Sequence, residues 1–311
     1  MKRRLAIRNT TLAGAVLCIA IGLAAVGQPT YTIHSNVRLV LLDVSVKDHE
    51  GGFVSGLNKQ NFTILEDGRP QPITVFANED VPVTVGILVD ESYSMRPKRA
   101  DVLQAAETFI EASNPRDEIF VLNFNDRVTR GLPDRIPFSD SIVQLRSALN
   151  RGIAQGKTAL NDAVIAGLKQ LESGRRDKKA LVVISDGGDN ASHHTRDDML
   201  KDVEASTATI YTVGLFDSED PDRDPGVLNK LARISGGEAF FPRNVSGMLP
   251  VCRRIAQDIR TRYTIGYLPG TVKGAHDVRQ IRVRVSTPDH RKLTARTRTS
   301  YRYDDENQEK E

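Results

Sequence analysis

Val83-Thr84-Val85-Gly86-Ile87-Leu88-Val89-Asp90-Glu91-Ser92-Tyr93-Ser94 decides the fold. Seven residues with almost no polar interruption, ended by an acid and followed by hydroxyls, describe a strand buried on both faces of a parallel sheet. Downstream, strand and helix signals alternate: strand Ile119 to Phe124, helix Asp140 to Leu149, helix Ala159 to Glu172, strand Ala180 to Ser185, helix Asp197 to Ala205, strand Thr209 to Leu215, and helices Pro225 to Ile234 and Val245 to Ile259. Pro97 is read as opening the first helix, with Val102, Ala106, Phe109 and Ile110 on its inner side. The alternation predicts a doubly wound, mostly parallel sheet with helices on both faces over residues 83–262. Val128 to Leu132, at hairpin distance, reads as an antiparallel edge strand.

Outward from that core the grammar is β. Residues 31–80 alternate apolar and polar side chains in Val37 to Val46, Phe62 to Leu65 and Ile73 to Phe76, with turns at Asp48 to Gly52 and Glu66-Asp67-Gly68 and no helix. Residues 263–303 give strands at Tyr263 to Leu268, Gln280 to Ser286 and Leu293 to Tyr301. Neither flank has strands enough to close a core, so the two are expected to pair into one small sandwich-like domain. The polar end, residues 304–311, is expected to be disordered.

The first 27 residues carry Lys2, Arg3, Arg4 and Arg8, then 15 apolar or Gly residues from Leu12 to Val26, then small side chains at Ala25-Val26-Gly27. This is the pattern of a cleaved export signal, and the run is shorter than the roughly 20 residues a spanning helix needs. The chain is expected to be periplasmic or extracellular, touching membrane only if the signal stays uncleaved. Removing it takes Cys18 and leaves Cys252 alone, so no intrachain disulfide is expected. The formal charge of +3 over 311 residues becomes 39 basic against 40 acidic groups. A near-neutral body offers no electrostatic reason to bind nucleic acid.

Ligands of a parallel sheet bind beyond the carboxyl ends of its strands. Three loops there hold chemistry: Asp90-Glu91-Ser92-Tyr93-Ser94; Gly156-Lys157-Thr158-Ala159-Leu160-Asn161-Asp162-Ala163; and Asp186-Gly187-Gly188-Asp189. Carboxylates and hydroxyls without His or Cys suit a hard divalent cation, Mg²⁺ first, with Mn²⁺ or Ca²⁺ as alternatives.

Asp-x-Ser-x-Ser after a buried strand, then Gly-x-Thr-x-Leu-x-Asp-Ala, then a strand-terminal Ser-Asp-Gly resemble the metal-ion-dependent adhesion site of von Willebrand factor type A domains. The segment around Val44 to Gly68 and the tail ending in Arg296 to Tyr301 look like the flanks of secreted bacterial proteins with a related domain. The resemblance implies hydroxyl ligands from Ser92, Ser94 and Thr158, with Asp90 and Asp186 acting directly or through water. It also implies a partner's Asp or Glu carboxylate completing the metal shell, and a binding protein rather than an enzyme. Tyr93, Lys157 and Asp189 are the neighbouring candidates for partner contact, and the last helix, Val245 to Ile259, is the element that shifts in related domains.

Two other readings compete. A haloacid-dehalogenase-like phosphatase would recruit Asp90, Thr158, Lys178 or Lys179, Asp186 and Asp189, but places an acid/base Asp where this chain has Ser92, a hydroxyl unfit for that work near neutral pH. A scaffold would act through its β flank. Asp90, Ser92 and Asp186 also suit helix caps and turns singly. His193-His194 reads as solvated loop with adjacent rings pointing apart. Asp217 to Asp224 begins like a calcium loop but has Pro225 and Leu231 where Gly and Glu are required, so it is read as an exposed acidic loop.

Overall fold

The computed structural model describes residues 39–216, 222–270, 278–290 and 292–302. The expected signal segment, the polar end 304–311, and the centre of the acidic loop at 217–221 lie outside the described residues. In chain order the strands are β1 Val40–Lys47, β2 Phe62–Glu66, β3 Arg69–Gln71, β4 Ile73–Ala77, β5 Thr84–Asp90, β6 Glu118–Phe124, β7 Val128–Arg130, β8 Lys179–Ser185, β9 Thr209–Gly214, β10 Ala239–Phe240, β11 Tyr263–Tyr267, β12 Val278–Val285, β13 Thr294–Arg296 and β14 Ser300–Arg302. The α-helices are α1 Arg99–Ala112, α2 Ile142–Asn150, α3 Leu160–Glu172, α4 Arg196–Ala205, α5 Pro225–Ser235 and α6 Met248–Thr261.

The central sheet runs β10-β9-β8-β5-β6-β7, parallel throughout except for the edge pair β6–β7. Every residue of β5 and of β9 is buried, because helices cover both faces. On the helical layers, α1 packs against α2 and α6, while α3 packs against α4 and α4 against α5. Ile87, Leu88, Phe109, Leu145, Val183 and Ile255 are at most 1% exposed in this core. Each such side chain contributes about 1.5–3 kcal/mol of burial.

Two four-stranded antiparallel sheets, β13-β1-β11-β4 and β14-β12-β2-β3, make a second layer pair. Their strands come from before β5 and after α6, and they share a core of Leu42, Val44, Ile64, Tyr263, Ile265 and Tyr267. The rings of Phe62, Phe76 and Tyr263 sit 5.0–5.9 Å apart in tilted contacts. Buried within it, Glu66 accepts from Tyr267 Oη at 2.6 Å, Tyr301 Oη at 2.7 Å and Arg279 Nη1 at 2.7 Å.

Polar side chains join the two layers. Asp258 on α6 is fully buried and takes Arg262 Nη2 and Arg296 Nη2, each at 3.1 Å, Tyr211 Oη at 2.8 Å, and the hydroxyl of Ser45 on β1. Burial raises the Asp258 carboxyl, but Arg262 and Arg296 overcome it and hold it at about 2. Cys252, buried in α6, has its thiol pushed up to about 12 by burial.

Several elements differ from the sequence reading. Pro97 lies inside a 3-10 turn, Tyr93–Lys98, and α1 begins at Arg99. A 3-10 turn, Lys59–Asn61, interrupts the strands of the first flank, and another, Val245–Gly247, precedes α6. The stretch Leu293 to Tyr301 is two strands in different sheets. Between them, Arg298 donates to Glu204 O at 2.7 Å and Thr299 N to Ile234 O at 3.3 Å, which diverts the chain against the helical layer.

Candidate metal centre

β5 ends at Asp90 and β8 delivers Asp186 one residue beyond its end, and the two strands are hydrogen-bonded neighbours with Val89 opposite Ile184. Adjacent parallel strands of matched length therefore carry both carboxylates out of the sheet on the same edge. Each is 2% exposed. Asp90 Oδ1 accepts from Ser92 N at 2.9 Å and Oδ2 from Ser185 Oγ at 2.6 Å. Ser92 Oγ and Ser94 Oγ lie 3.1 Å apart, and Ser94 Oγ donates to Asp186 Oδ2 at 2.5 Å. Asp186 Oδ1 accepts from Gly188 N at 3.0 Å, a turn that Gly187 permits with φ +84°.

The middle loop is laced to both. Tyr93 N donates to Gly156 O at 3.0 Å, and Gln155 N to Glu91 O at 2.9 Å. Asn190 accepts from Thr158 N through Oδ1 at 2.9 Å, while its own N–H donates to Thr158 O at 2.9 Å. Thr158, 5% exposed, is thereby fixed between the Asp90 and Asp186 loops. The 3-10 turn after Ser92, closed by Met95 N on Ser92 O at 3.1 Å, keeps Ser92 and Ser94 facing the edge before α1 begins.

Burial and the charge of Asp186 push the Asp90 carboxyl up to about 7, against hydrogen bonds from Ser185 and Ser92. Neither Asp90 nor Asp186 has an ion pair with Lys, Arg or His among the described residues. Two neighbouring buried carboxylates without a basic counter-charge, set among hydroxyls, fit a hard cation. Among the described residues there is no group of three or more His, Cys, Asp or Glu suited to a metal. The side chains at this edge are two carboxylates and the hydroxyls of Ser92 and Ser94, with Thr158 in the adjoining loop.

The neighbouring candidates separate. Tyr93 is 67% exposed, and Lys157 is exposed with its N–H on Asp126 Oδ1 at 3.2 Å. Asp189 turns inward instead: its Oδ2 accepts from Asn161 N and Ser192 Oγ, both at 2.7 Å, tying its loop to the start of α3. Asp224 caps α5 through Val227 N at 3.0 Å and pairs with Arg196 at 2.6 Å, so the end of the acidic loop serves local structure.

His193 and His194 do not point apart. Both rings reach Asp162, with Nδ1 at 3.1 and 2.7 Å, because both backbone N–H groups also donate to that carboxylate and curl the loop around it. Burial raises Asp162, but these donors hold it well below the usual carboxylate range. The lysines of the phosphatase reading fail on position. Lys178 and Lys179 stand at the amino end of β8, donating to Arg262 O at 3.1 Å and Glu172 O at 3.4 Å. A seven-residue strand, about 20 Å long, separates them from Asp186.

Asn190, Glu91 and Asn123 are not singled out from sequence, and Ser185 enters there only as the first residue of the Ser-Asp-Gly motif. Ser185 had a signal in its place at the end of a buried strand; Asn190 had none, since its two bonds to Thr158 exist only once the loops meet.

The von Willebrand factor type A domain family model matches residues 84–250. No curated protein matches the chain by sequence. A von Willebrand factor type A structure from Catenulispora acidiphila is similar in fold, at 14% identity and TM-score 0.51, with 88% of this chain and 76% of that one covered. Proximal thread matrix protein 1 from the mussel byssus aligns at 14% identity and TM-score 0.48 over 58% of this chain, which spans 49% of that protein. The vWF domain of the type V pili tip protein Mfa5 from Porphyromonas gingivalis aligns at 12% identity and TM-score 0.48, with 58% of this chain and 95% of that one covered. The match over β5 to the start of α6, together with the sheet order, shows that this chain belongs to the von Willebrand factor type A domain family.

Proposed function

We propose that the chain is an exported module that binds a protein partner through a divalent cation, Mg²⁺ before Mn²⁺ or Ca²⁺. The observation that carries this is the pair Asp90 and Asp186, buried side by side with no basic counter-charge among the described residues and bridged by Ser92 and Ser94. Asp90, Ser92, Ser94, Thr158 and Asp186 would hold the ion. A cation bound there supplies positive charge and a coordination position open to an outside Asp or Glu carboxylate.

The chain's own residues do the rest. Ser185 and the backbone N–H of Ser92 orient Asp90, and Gly188 N orients Asp186, so neither carboxylate must reorganise on binding. Hydroxyls outnumber carboxylates, which leaves the ion short of negative charge and attractive to an incoming anion. Exposed Tyr93 and Lys157 flank the edge where a partner would sit. Export rests on the basic, then apolar, then small-residue start of the sequence. Among the described residues no helix is long and apolar enough to cross a membrane.

The test is calorimetric titration of Mg²⁺ into the mature chain, its Asp90→Ala and its Asp186→Ala variants. Saturable binding by the unaltered chain and its loss in both variants is the expected result; equal affinity in all three defeats the site. Capture from the native cell envelope in Mg²⁺, followed by elution with chelator, then identifies the partner. A partner that stays bound through chelation favours action through the β flank.

A further inference from the structure

A cleft of about 830 Å³ opens between α5 and β12, lined by Arg233 on α5, Glu238 just before β10, Arg282 and Arg284 on β12, and Arg296 on β13. The stretch leading into β14 joins its two walls: Thr299 N donates to Ile234 O of α5 at 3.3 Å, and Thr299 O accepts from Ile281 N of β12 at 2.8 Å. Glu238 stands at the amino end of β10, which runs parallel to β9, whereas Asp90 and Asp186 leave the sheet at the carboxyl ends of β5 and β8. The cleft is therefore at the opposite end of the sheet from the metal centre.

Its lining carries four arginines and one acid. Glu238 takes Arg296 Nη2 at 3.0 Å and Lys47 Nζ; burial raises its carboxyl, but these two cations hold it below the ordinary value. Arg296 Nη2 also reaches Asp258 at 3.1 Å, so Arg296 belongs to the buried network behind the cleft. Arg233, Arg282 and Arg284 are different. All three are exposed, and their guanidinium groups have no ion pair or hydrogen bond among the described residues. Asp67, exposed in the turn beside Gly68, accepts Gln280 N at 2.8 Å and pairs with none of them.

Register explains the unbalanced charge. β12 buries Arg279, Ile281 and Val283 and exposes Gln280, Arg282 and Arg284, so the last two share the outer face. Across β2, Arg282 stands opposite Leu65 and Arg284 opposite Thr63, and β14 pairs with β12 only as far as Gln280. Neither arginine meets the opposite charge that cross-strand pairing commonly supplies. Arg233 suits the last turn of α5, where a cation faces the negative end of the helix. Arg282 and Arg284 have no such local reason.

Two strand positions apart, Arg282 and Arg284 are spaced by about 6.5 Å, the spacing of alternate side chains in any extended peptide. Guanidinium forks match carboxylates in shape as well as charge. We infer that this cleft is a docking site for an acidic segment of a partner protein, bound extended, with carboxylates at alternate positions on Arg282 and Arg284 and a further one on Arg233. A short phosphate chain packs its charges more closely than this spacing. The site uses none of the residues of the metal centre and stands whether or not that edge holds a cation.

The experiment is calorimetric titration of a capped peptide, three glutamates separated by single glycines, into the mature chain in chelator and low salt. The same peptide with glutamine for glutamate is the uncharged control. Saturable binding of the acidic peptide alone, weakened at least about tenfold by Arg282→Gln combined with Arg284→Gln and weakened by Arg233→Gln, is the expected result. Lys169→Gln removes one charge from the exposed side of α3, outside the cleft, and should leave the affinity nearly unchanged. All four positions are exposed, so melting temperatures close to that of the unaltered chain should accompany every variant. No saturable binding, equal binding of the glutamine peptide, affinity unchanged by the double variant, or a loss in Lys169→Gln equal to that in Arg233→Gln each overturns the inference. Tripolyphosphate that binds more tightly than the peptide through the same arginines overturns the choice of a protein segment.

Discussion

Ser94 donates its hydroxyl to Asp186 Oδ2 over 2.5 Å, joining two positions 92 residues apart. That bond links the loop after β5 to the loop after β8 and closes the line of oxygens Asp90, Ser92, Ser94, Asp186.

Ser94→Ala removes one hydroxyl and leaves both carboxylates. A hydrogen bond to a charged group is worth about 1.5–3 kcal/mol, so Mg²⁺ affinity is expected to fall about tenfold or more. The rise in melting temperature on adding Mg²⁺ measures this, since a ligand stabilises the fold in proportion to its binding. A rise equal to that of the unaltered chain would exclude Ser94 from the site.

Gly187→Ala is expected to harm the same edge through the backbone. Its φ of +84° costs an L-residue about 1–2 kcal/mol, and its Cβ would stand 2.3 Å from Asp224 O. Gly56→Ala meets a similar φ of +78° with open space around it. Gly187→Ala should therefore melt several degrees below Gly56→Ala and also lose Mg²⁺ affinity, whereas equal melting would show that the Asp224 contact yields freely.

Asp258→Ala strips a buried acceptor from two arginines, a tyrosine and a serine, and is expected to cost about 3–5 kcal/mol in urea unfolding. Its acid limb gives a second reading. The carboxyl is held at about 2 against 3.8 for the free side chain, so the unfolded chain binds the proton first as pH falls. The contribution is complete above about pH 4 and is lost on the way down to about pH 2, roughly 2–3 kcal/mol in all. Asp258→Asn should flatten that part of the stability curve.

Glu66→Ala removes the carboxylate that buried Arg279 meets at 2.7 Å, together with the acceptor of two tyrosine hydroxyls, and is expected to cost a similar 3–5 kcal/mol. The double variant Glu66→Leu with Arg279→Leu should recover much of that loss, because both charges of the buried pair are removed together. A double variant no more stable than Glu66→Ala would show that the two tyrosine hydroxyls, not the ion pair, set the cost.

The core was legible in sequence where burial acts on both faces of a strand. Thr84 to Asp90 and Thr209 to Gly214 have no polar face to disguise them, and their ends point directly to the loops that matter. Legibility failed where tertiary bonds choose between local options. Leu293 to Tyr301 alternates like one strand, yet Arg298 and Thr299 bond to Glu204 and Ile234 and split it. Pro97 suits the first turn of a helix, but the 3-10 turn that aims Ser92 and Ser94 occupies that stretch. Glu91 stands between two motif positions with nothing in its spacing to mark it. Its side chain is held by Arg99 against Gly152, a meeting that no spacing rule encodes.

Only Arg262 stands between the last residue of α6 and the first of β11. Tyr263, which follows it, is fully buried and donates its hydroxyl to Val54 O at 2.8 Å. The helix is thus bolted end-on to the flanking sheets, and an axial slide of one turn would drag that ring out of its seat. Any axial shift of α6 is therefore coupled, through a single connecting residue, to the seat of the Tyr263 ring in the flanking sheets.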